Sequence, residues 1–202
     1  MDELRVYLET GRRWVFAGAV DWPGWCRRAQ GDEAALEALL GYADRYERAV
    51  GVEVGTGHPV VLGQVGSRRG TADFGAPGAI GPWDSEPLPA PELDRQLGLL
   101  QAAWAHLDDV ARSAPPELRK GPRGGGRDRD ALLDHVREAE RAYAPKVSGR
   151  VPPRTAWPEQ RTMILAALRE APTGTAWPVR YAVRRLAWHV LDHLWELEDR
   201  SG

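Results

Sequence analysis

The sequence predicts an α+β protein, a small N-terminal α/β region made of a hairpin and a helix, followed by a four-helix bundle. Three observations predict it. Short β-type runs gather in the first 65 residues, four segments with apolar residues at three- and four-residue steps fill the chain from about residue 91, and a Gly- and Pro-rich stretch separates the two. The divisions are 1–65 for the α/β region, 66–90 for a linker or lid loop, and 91–202 for the bundle.

The runs Leu4 to Glu9 and Trp14 to Val20 are joined through Thr10-Gly11-Arg12-Arg13, which is a hairpin signal. Pro23-Gly24 then demands a turn. A helix follows from Asp32, a residue suited to an N-cap, to Val50, with Leu36, Leu39, Leu40, Tyr42, Ala43 and Tyr46 as its apolar face. A further run, Val60 to Val65, can pair with the hairpin. From Gly66 the chain is rich in Gly, Pro, Ala and Asp. Long loops are uncommon in compact domains unless they cover something. This one is either a surface linker or a cover for a site, with Thr71, Asp73, Phe74 and Trp83 as pocket residues.

The first bundle helix starts at Pro91 or Glu92, carries the stripe Leu93, Leu97, Leu100, Trp104, Leu107 and Ala111, and ends before Pro115-Pro116. The basic run Arg119 to Arg129 lacks the Gly-Lys-Ser/Thr ending of a phosphate loop and reads as a flexible connection. The next helix spans Asp130 to Lys146, with Arg137, Glu140 and Arg141 to its sides or outward. A shorter one runs from Pro158 to Glu170, stopped by Pro172 to Gly174. The last, Trp177 to Arg200, is opened by Pro178 and places Arg180, Arg184, Asp192 and Asp199 on its polar face.

Histidines occupy two of these apolar stripes. Val179, Ala182 and Leu186 lead at helical steps into His189 and His193, whose spacing puts both imidazoles on one face, one turn apart. Leu132, His135, Ala139 and Ala142 make the same pattern in the second bundle helix. An inward histidine requires a hydrogen bond or a metal to replace its lost hydration. Three such donors from two helices make a half-open site for a divalent ion, with room for water or substrate. The alternative is three satisfied core histidines. Glu138, one turn after His135, is a candidate general base or ligand-orienting group, and Glu196 bears the same relation to His193. On an exposed face either is only a solvating charge. His106 flanks the first helix's stripe, and His58 reads as a loop residue.

The order of these residues, "LLDHVREAERAY" followed some fifty residues later by "RRLAWHVLDHLWELEDR", resembles the DinB-like superfamily, which includes YfiT-type proteins. The resemblance covers about residues 91–200 and implies an up-down-down-up bundle with His135, His189 and His193 as ligands of zinc or nickel. It implies a metal-dependent hydrolase, or a transferase or isomerase acting with mycothiol or another low-molecular-weight thiol, and a homodimer. The N-terminal ninety residues depart from that pattern. Within them, "VFAGAVDWPGWCRRAQGDEAALEALLGYA" resembles the HicB-type fold, which implies an alternative: a non-catalytic binding or regulatory protein with the bundle as scaffold.

Composition narrows the classes. A net charge of −2 offers no basic excess for a phosphate backbone, so no nucleic acid is expected. The single cysteine, Cys26, excludes an internal disulfide framework and fits a reducing compartment. It is a packed thiol or a nucleophile. No long apolar run exists and Met1-Asp-Glu opens without a signal core, so the expectation is a cytoplasmic protein that acts on a small molecule, away from membranes. The nine tryptophans are expected to pack the two regions together.

Overall fold

The hairpin signal produces strands β1 (Leu4–Thr10) and β2 (Val15–Ala19), and two more strands, β3 (Cys26–Ala29) and β4 (Pro59–Gly66), complete a sheet of order β3-β2-β1-β4. The computed structural model describes residues 3–55, 57–121 and 125–202. β4 lies parallel to β1, and the other pairs are antiparallel. β3 was not expected, because Cys-Arg-Arg-Ala has no apolar alternation. The Pro-Gly turn before it returns the chain alongside β2, and main-chain pairing does the rest.

A parallel pair needs a crossover, and two helices supply it, α1 (Asp32–Leu40) and α2 (Ala43–Val50). The single helix expected over Asp32 to Val50 thus breaks at Gly41-Tyr42, where glycine weakens the helix. Gly31, at φ 95°, takes the N-cap position, and Asp32 is the first helical residue without a capping bond. Its carboxylate and that of Glu33 still face the positive end of the helix dipole.

Leu4, Val6, Leu8, Val15, Ala17 and Ala19 share one face of the sheet and join Leu39 and Tyr46 in the main core. Tyr7, Glu9, Phe16 and Cys26 share the other. There the Tyr7 ring lies across Gly18 so closely that a Cβ on residue 18 would meet its Cε1 and Cζ at 2.4 Å. Gly18→Ala is therefore expected to destabilise the fold by about 1–3 kcal/mol, the usual cost of overpacking. Urea unfolding would read this as a lower midpoint with an unchanged slope, and an unchanged midpoint would show that Tyr7 is free to move.

The segment between β4 and the bundle closes this second face. Buried Glu9 accepts the Gly78 and Ala79 N–H groups at 3.0 Å each, and Asp73 accepts those of Arg12, Arg13 and Trp14. Trp83 stacks on Tyr7 with ring centroids 5.2 Å apart, Thr71 hydrogen-bonds Ser67 and Glu9, and Phe74 is 89 % exposed. The segment is thus a wall of the sheet, tied down by the buried carboxylate of Glu9 and the more exposed one of Asp73.

The bundle consists of α3 (Ala90–Ser113), α4 (Arg129–Tyr143), α5 (Trp157–Glu170) and α6 (Val179–Ser201). α4 stops short of Lys146, since Pro145 has no N–H to continue it, and Ala144–Val147 form a 3-10 turn instead. Residues 122–124 of the basic run lie outside the described residues. Around them, Arg119 N–H bonds the Arg200 carbonyl while Arg200 Nε bonds that of Arg119, fastening the connection to the end of α6.

α6 is the central element, and this corrects the expected polar face. Arg180 and Arg184 are 5 % and 4 % exposed, because α6 packs against the bundle on one side and against the sheet on the other. Trp188 meets Phe16 edge-on at 6.3 Å, and Trp195 meets Tyr42 at 5.0 Å, so these two tryptophans do join the regions. Arg184 pairs with buried Asp84 at 2.8 Å, and its guanidinium lies 4.2 Å over the Tyr7 ring. Glu140 also turns inward, at 1 % exposure, and accepts Trp157 Nε1 at 2.7 Å and Gln160 Nε2 at 3.3 Å. Among the described residues, no helix is long and apolar enough to cross a membrane.

Candidate metal centre

Helical periodicity and the packing of α4 on α6 bring the three stripe histidines together. His189 and His193 stand one turn apart on α6, and His135 reaches them from α4. One potential ligand atom from each lies within 4.8 Å of the others, and His135 Nε2 is 3.2 Å from His189 Nε2. The ring centroids of each pair are 4.6 to 5.0 Å apart. Three tetrahedral nitrogen ligands at about 2.05 Å from zinc stand about 3.4 Å from one another, so the closest edge already has that size. The group can hold a metal ion.

Burial and neighbouring charges favour the neutral form that a metal requires at His189 and His135. Burial, reinforced by His193, Arg185, His135 and Arg127, brings the His189 imidazole down to about 2. Burial and then Arg127 and His193 lower His135 as well. His189 Nδ1 is buried with no hydrogen-bond partner among the described residues, leaving Nε2 as the ring's one engaged nitrogen, shared with His135. A cation between the rings would use both Nε2 lone pairs. His135 is half-buried, so the cluster is open on its α4 side.

The two candidate carboxylates part company here. Glu138 is exposed and bonded to Arg141, whose guanidinium holds its carboxyl below the usual range, and it makes no contact with the cluster. Glu196 Oε2 lies 2.9 Å from His193 Nδ1, and its other oxygen takes Arg200 Nη1 at 2.6 Å. The hydrogen bond to His193, followed by Arg200, lowers its carboxyl. A carboxylate accepting the Nδ1 proton fixes the tautomer and directs the Nε2 lone pair of His193 away from it. Both glutamates sit three residues after a histidine, and only the neighbours of that flank tell them apart. Tyr143, which no sequence signal marked, stands 6.0 Å from the His189 ring and binds Arg185 through its hydroxyl.

The remaining candidates lie elsewhere. His106 pairs with Glu198 at 3.5 Å on the α3 side of α6, and exposed His58 accepts the Leu4 N–H through its carbonyl. Cys26 is buried beneath Tyr7, whose hydroxyl bonds its sulfur at 3.7 Å, and burial pushes the thiol up to about 12. Iodoacetamide at pH 8 is therefore expected to leave the native protein unmodified by mass spectrometry while alkylating it fully in 6 M guanidinium, conditions set by the ordinary thiol range of about 8.5. Rapid native labelling would place Cys26 back among the nucleophile candidates.

Comparisons with protein-family models, with curated proteins and with solved structures find no match for this chain.

Proposed function

We propose that the chain is a metal-dependent enzyme of the DinB-like kind, holding zinc or nickel on His135, His189 and His193. The observation that carries this reading is the convergence of three imidazoles from two bundle helices, with one side left open. A structural site normally closes with a fourth protein ligand, whereas three ligands leave a position for chemistry. Bound there, a divalent ion supplies Lewis acidity that brings a coordinating thiol or water to ionise near neutral pH.

The chain's own residues divide the remaining work. Glu196 holds the Nδ1 proton of His193 and is itself held by Arg200, so the ligand ring is oriented before any ion arrives. Arg185, packed 4.5 Å over Trp188, and Arg127 add positive potential beside the histidines. That potential favours the anionic form of an incoming thiol. The substrate reaction in this reading is transfer or isomerisation with mycothiol or another low-molecular-weight thiol, or hydrolysis.

Titrating zinc and nickel into chelator-treated protein tests it. One ion per chain is expected, with affinity reduced at least tenfold in His193→Ala and about 10- to 100-fold in Glu196→Ala, as for other groups that support a ligand from behind. The loaded protein is then expected to conjugate a small thiol to an electrophile, and His193→Ala is not. Metal binding that ignores the histidine substitutions, or conjugation that proceeds equally without metal, would overturn the proposal.

A further inference from the structure

Resting on that reading for the support of His193, we infer that the protein binds a small molecule carrying a carboxylate or a phosphate in the cleft along the carboxyl half of α6, on the Glu196 side of that histidine. The cleft encloses about 600 Å3 between Arg27 of β3 and the Arg119-to-Gly121 segment, within the range of small-molecule sites. Its floor includes Asp192 and Glu196, the residues flanking His193 on the helix, and Glu196 touches that histidine directly. The cleft therefore reaches the carboxylate that holds His193 from behind.

Charge selects the ligand. Four cations, Arg27, Arg119, Lys120 and Arg200, line it with three acids, Asp192, Glu196 and Asp199, while Lys120 is paired with Asp128 at 2.6 Å and Asp199 with Arg45 at 3.0 Å. The pairing is also incomplete. Arg27 meets Asp192 only through Nη1 at 3.4 Å, and its guanidinium carbon lies 3.9 Å from the centre of the Tyr42 ring. Among the described residues the Arg119 guanidinium binds the main-chain carbonyl of Asp199 and no carboxylate, and Arg200 Nη2 is buried without a partner.

The surroundings extend the imbalance. Among the described residues Arg28, Arg119, Arg127 and Arg185 make no ion pair with any carboxylate, although Arg28 adjoins Asp192 in the neighbouring pocket and Arg185 binds the Pro77 carbonyl and Tyr143. The backbone at Gly126, just before Arg127, presses against the Arg200 guanidinium, which places that arginine beside the line from Arg200 through Glu196 to His193. A neutral ligand would leave these guanidinium charges uncompensated, and a bound cation at the histidines would add to them. Carboxylate and phosphate oxygens match the guanidinium fork in both charge and geometry.

Benzoate, phenyl phosphate and neutral benzamide, titrated calorimetrically into metal-free and zinc-loaded protein, test this inference. The expected result is binding of at least one anion at least tenfold tighter than benzamide, weakened by added salt. The relative affinity of benzoate and phenyl phosphate then identifies the recognised group. The Arg27→Gln/Arg119→Gln double variant, which changes two cations of the cleft and none that acts on the histidines, is expected to lose at least fivefold in anion affinity while zinc affinity stays unchanged. Anions that bind no better than benzamide, or equally well to the double variant, would overturn the inference even if zinc binds. Intact anion binding in a protein that takes up no metal would instead sink the metal centre and leave the anion site standing.

Discussion

Arg184→Met is expected to remove about 3–5 kcal/mol of stability, the range found when one partner of a buried ion pair is taken away. The carboxylate of Asp84 has no solvent exposure, and apart from the Arg184 fork its bond is to the Gly81 N–H at 2.8 Å. Methionine fills much of the arginine's volume while leaving that charge in a medium that cannot solvate it. The damage is local in origin. Asp84 stands on the segment that walls the second face of the sheet, and Arg184 stands on α6 five residues before His189. The pair therefore clamps that wall to the helix carrying the candidate centre. Replacing both partners, Arg184→Met with Asp84→Leu, is expected to recover most of the loss, because an apolar pair has no charge to strand. Urea unfolding of the single and double variants reads this directly, and a double variant as unstable as Arg184→Met would show that the guanidinium's contact with Tyr7 matters more than its ion pair.

The second large effect is the pH dependence of the metal-free protein. His189 is held down to about 2 in the folded chain, first by burial and then by its charged neighbours, and an unfolded histidine titrates near 6.5. The unfolded chain thus takes up the proton first. Stability contributed by the neutral ring is complete above pH 6.5 and declines as pH falls below it, by about 1.4 kcal/mol per unit for one site. At pH 5 the loss from His189 alone is about 2 kcal/mol. His135, lowered in the same direction, adds to it. His189→Leu is expected to flatten this slope, and a slope that survives the substitution would place the titrating group elsewhere. Zinc at a thousandfold excess over its Kd is expected to add about 4 kcal/mol at pH 7, an increment that shrinks in acid as protons compete for the same nitrogens.

The histidines were legible because helical spacing is a local property. Their stripes, continuous with Leu186 on one helix and Leu132 on the other, turn toward whatever covers those leucines, and α4 and α6 cover each other. The stops before Pro115-Pro116 and at Pro172 to Gly174 were legible for the same reason, since a missing N–H or an extra degree of backbone freedom acts within one turn, whereas the expected helix ran through Pro145 to Lys146 and the structure ends it at Tyr143. β3 was not. It has no pattern of its own and exists through its pairing with β2. The split of the crossover helix at Gly41 shows the same limit, because the two halves follow different neighbours, α1 the sheet and α2 the first bundle helix.

Which side of a helix counts as polar was decided by packing. A stripe of Arg180 and Arg184 looks solvated as long as one face of α6 is taken to be covered, and it becomes interior once the sheet supplies Tyr7 and the segment after β4 supplies Asp84. Glu140 repeats the lesson on α4, where α5 provides the indole and amide donors that a buried carboxylate needs. The choice between Glu138 and Glu196 is local by contrast. Each stands one turn from a histidine, but Glu196 is held between His193 and Arg200 on its own helix, whereas Glu138 turns to Arg141.

Periodicity and breakers alone placed four helices, a hairpin and three inward imidazoles, because each of those features is set by residues within about two turns of one another. Where the intervening segment lies, which arginines are buried and where the charged cleft opens were decided by contacts between residues some eighty to a hundred and sixty positions apart, such as Arg119 with Arg200, Asp84 with Arg184 and Arg27 with Asp192. Such contacts leave no local pattern, since the free energy that fixes them is the desolvation and pairing of charge, which exists only once the chain has closed around it.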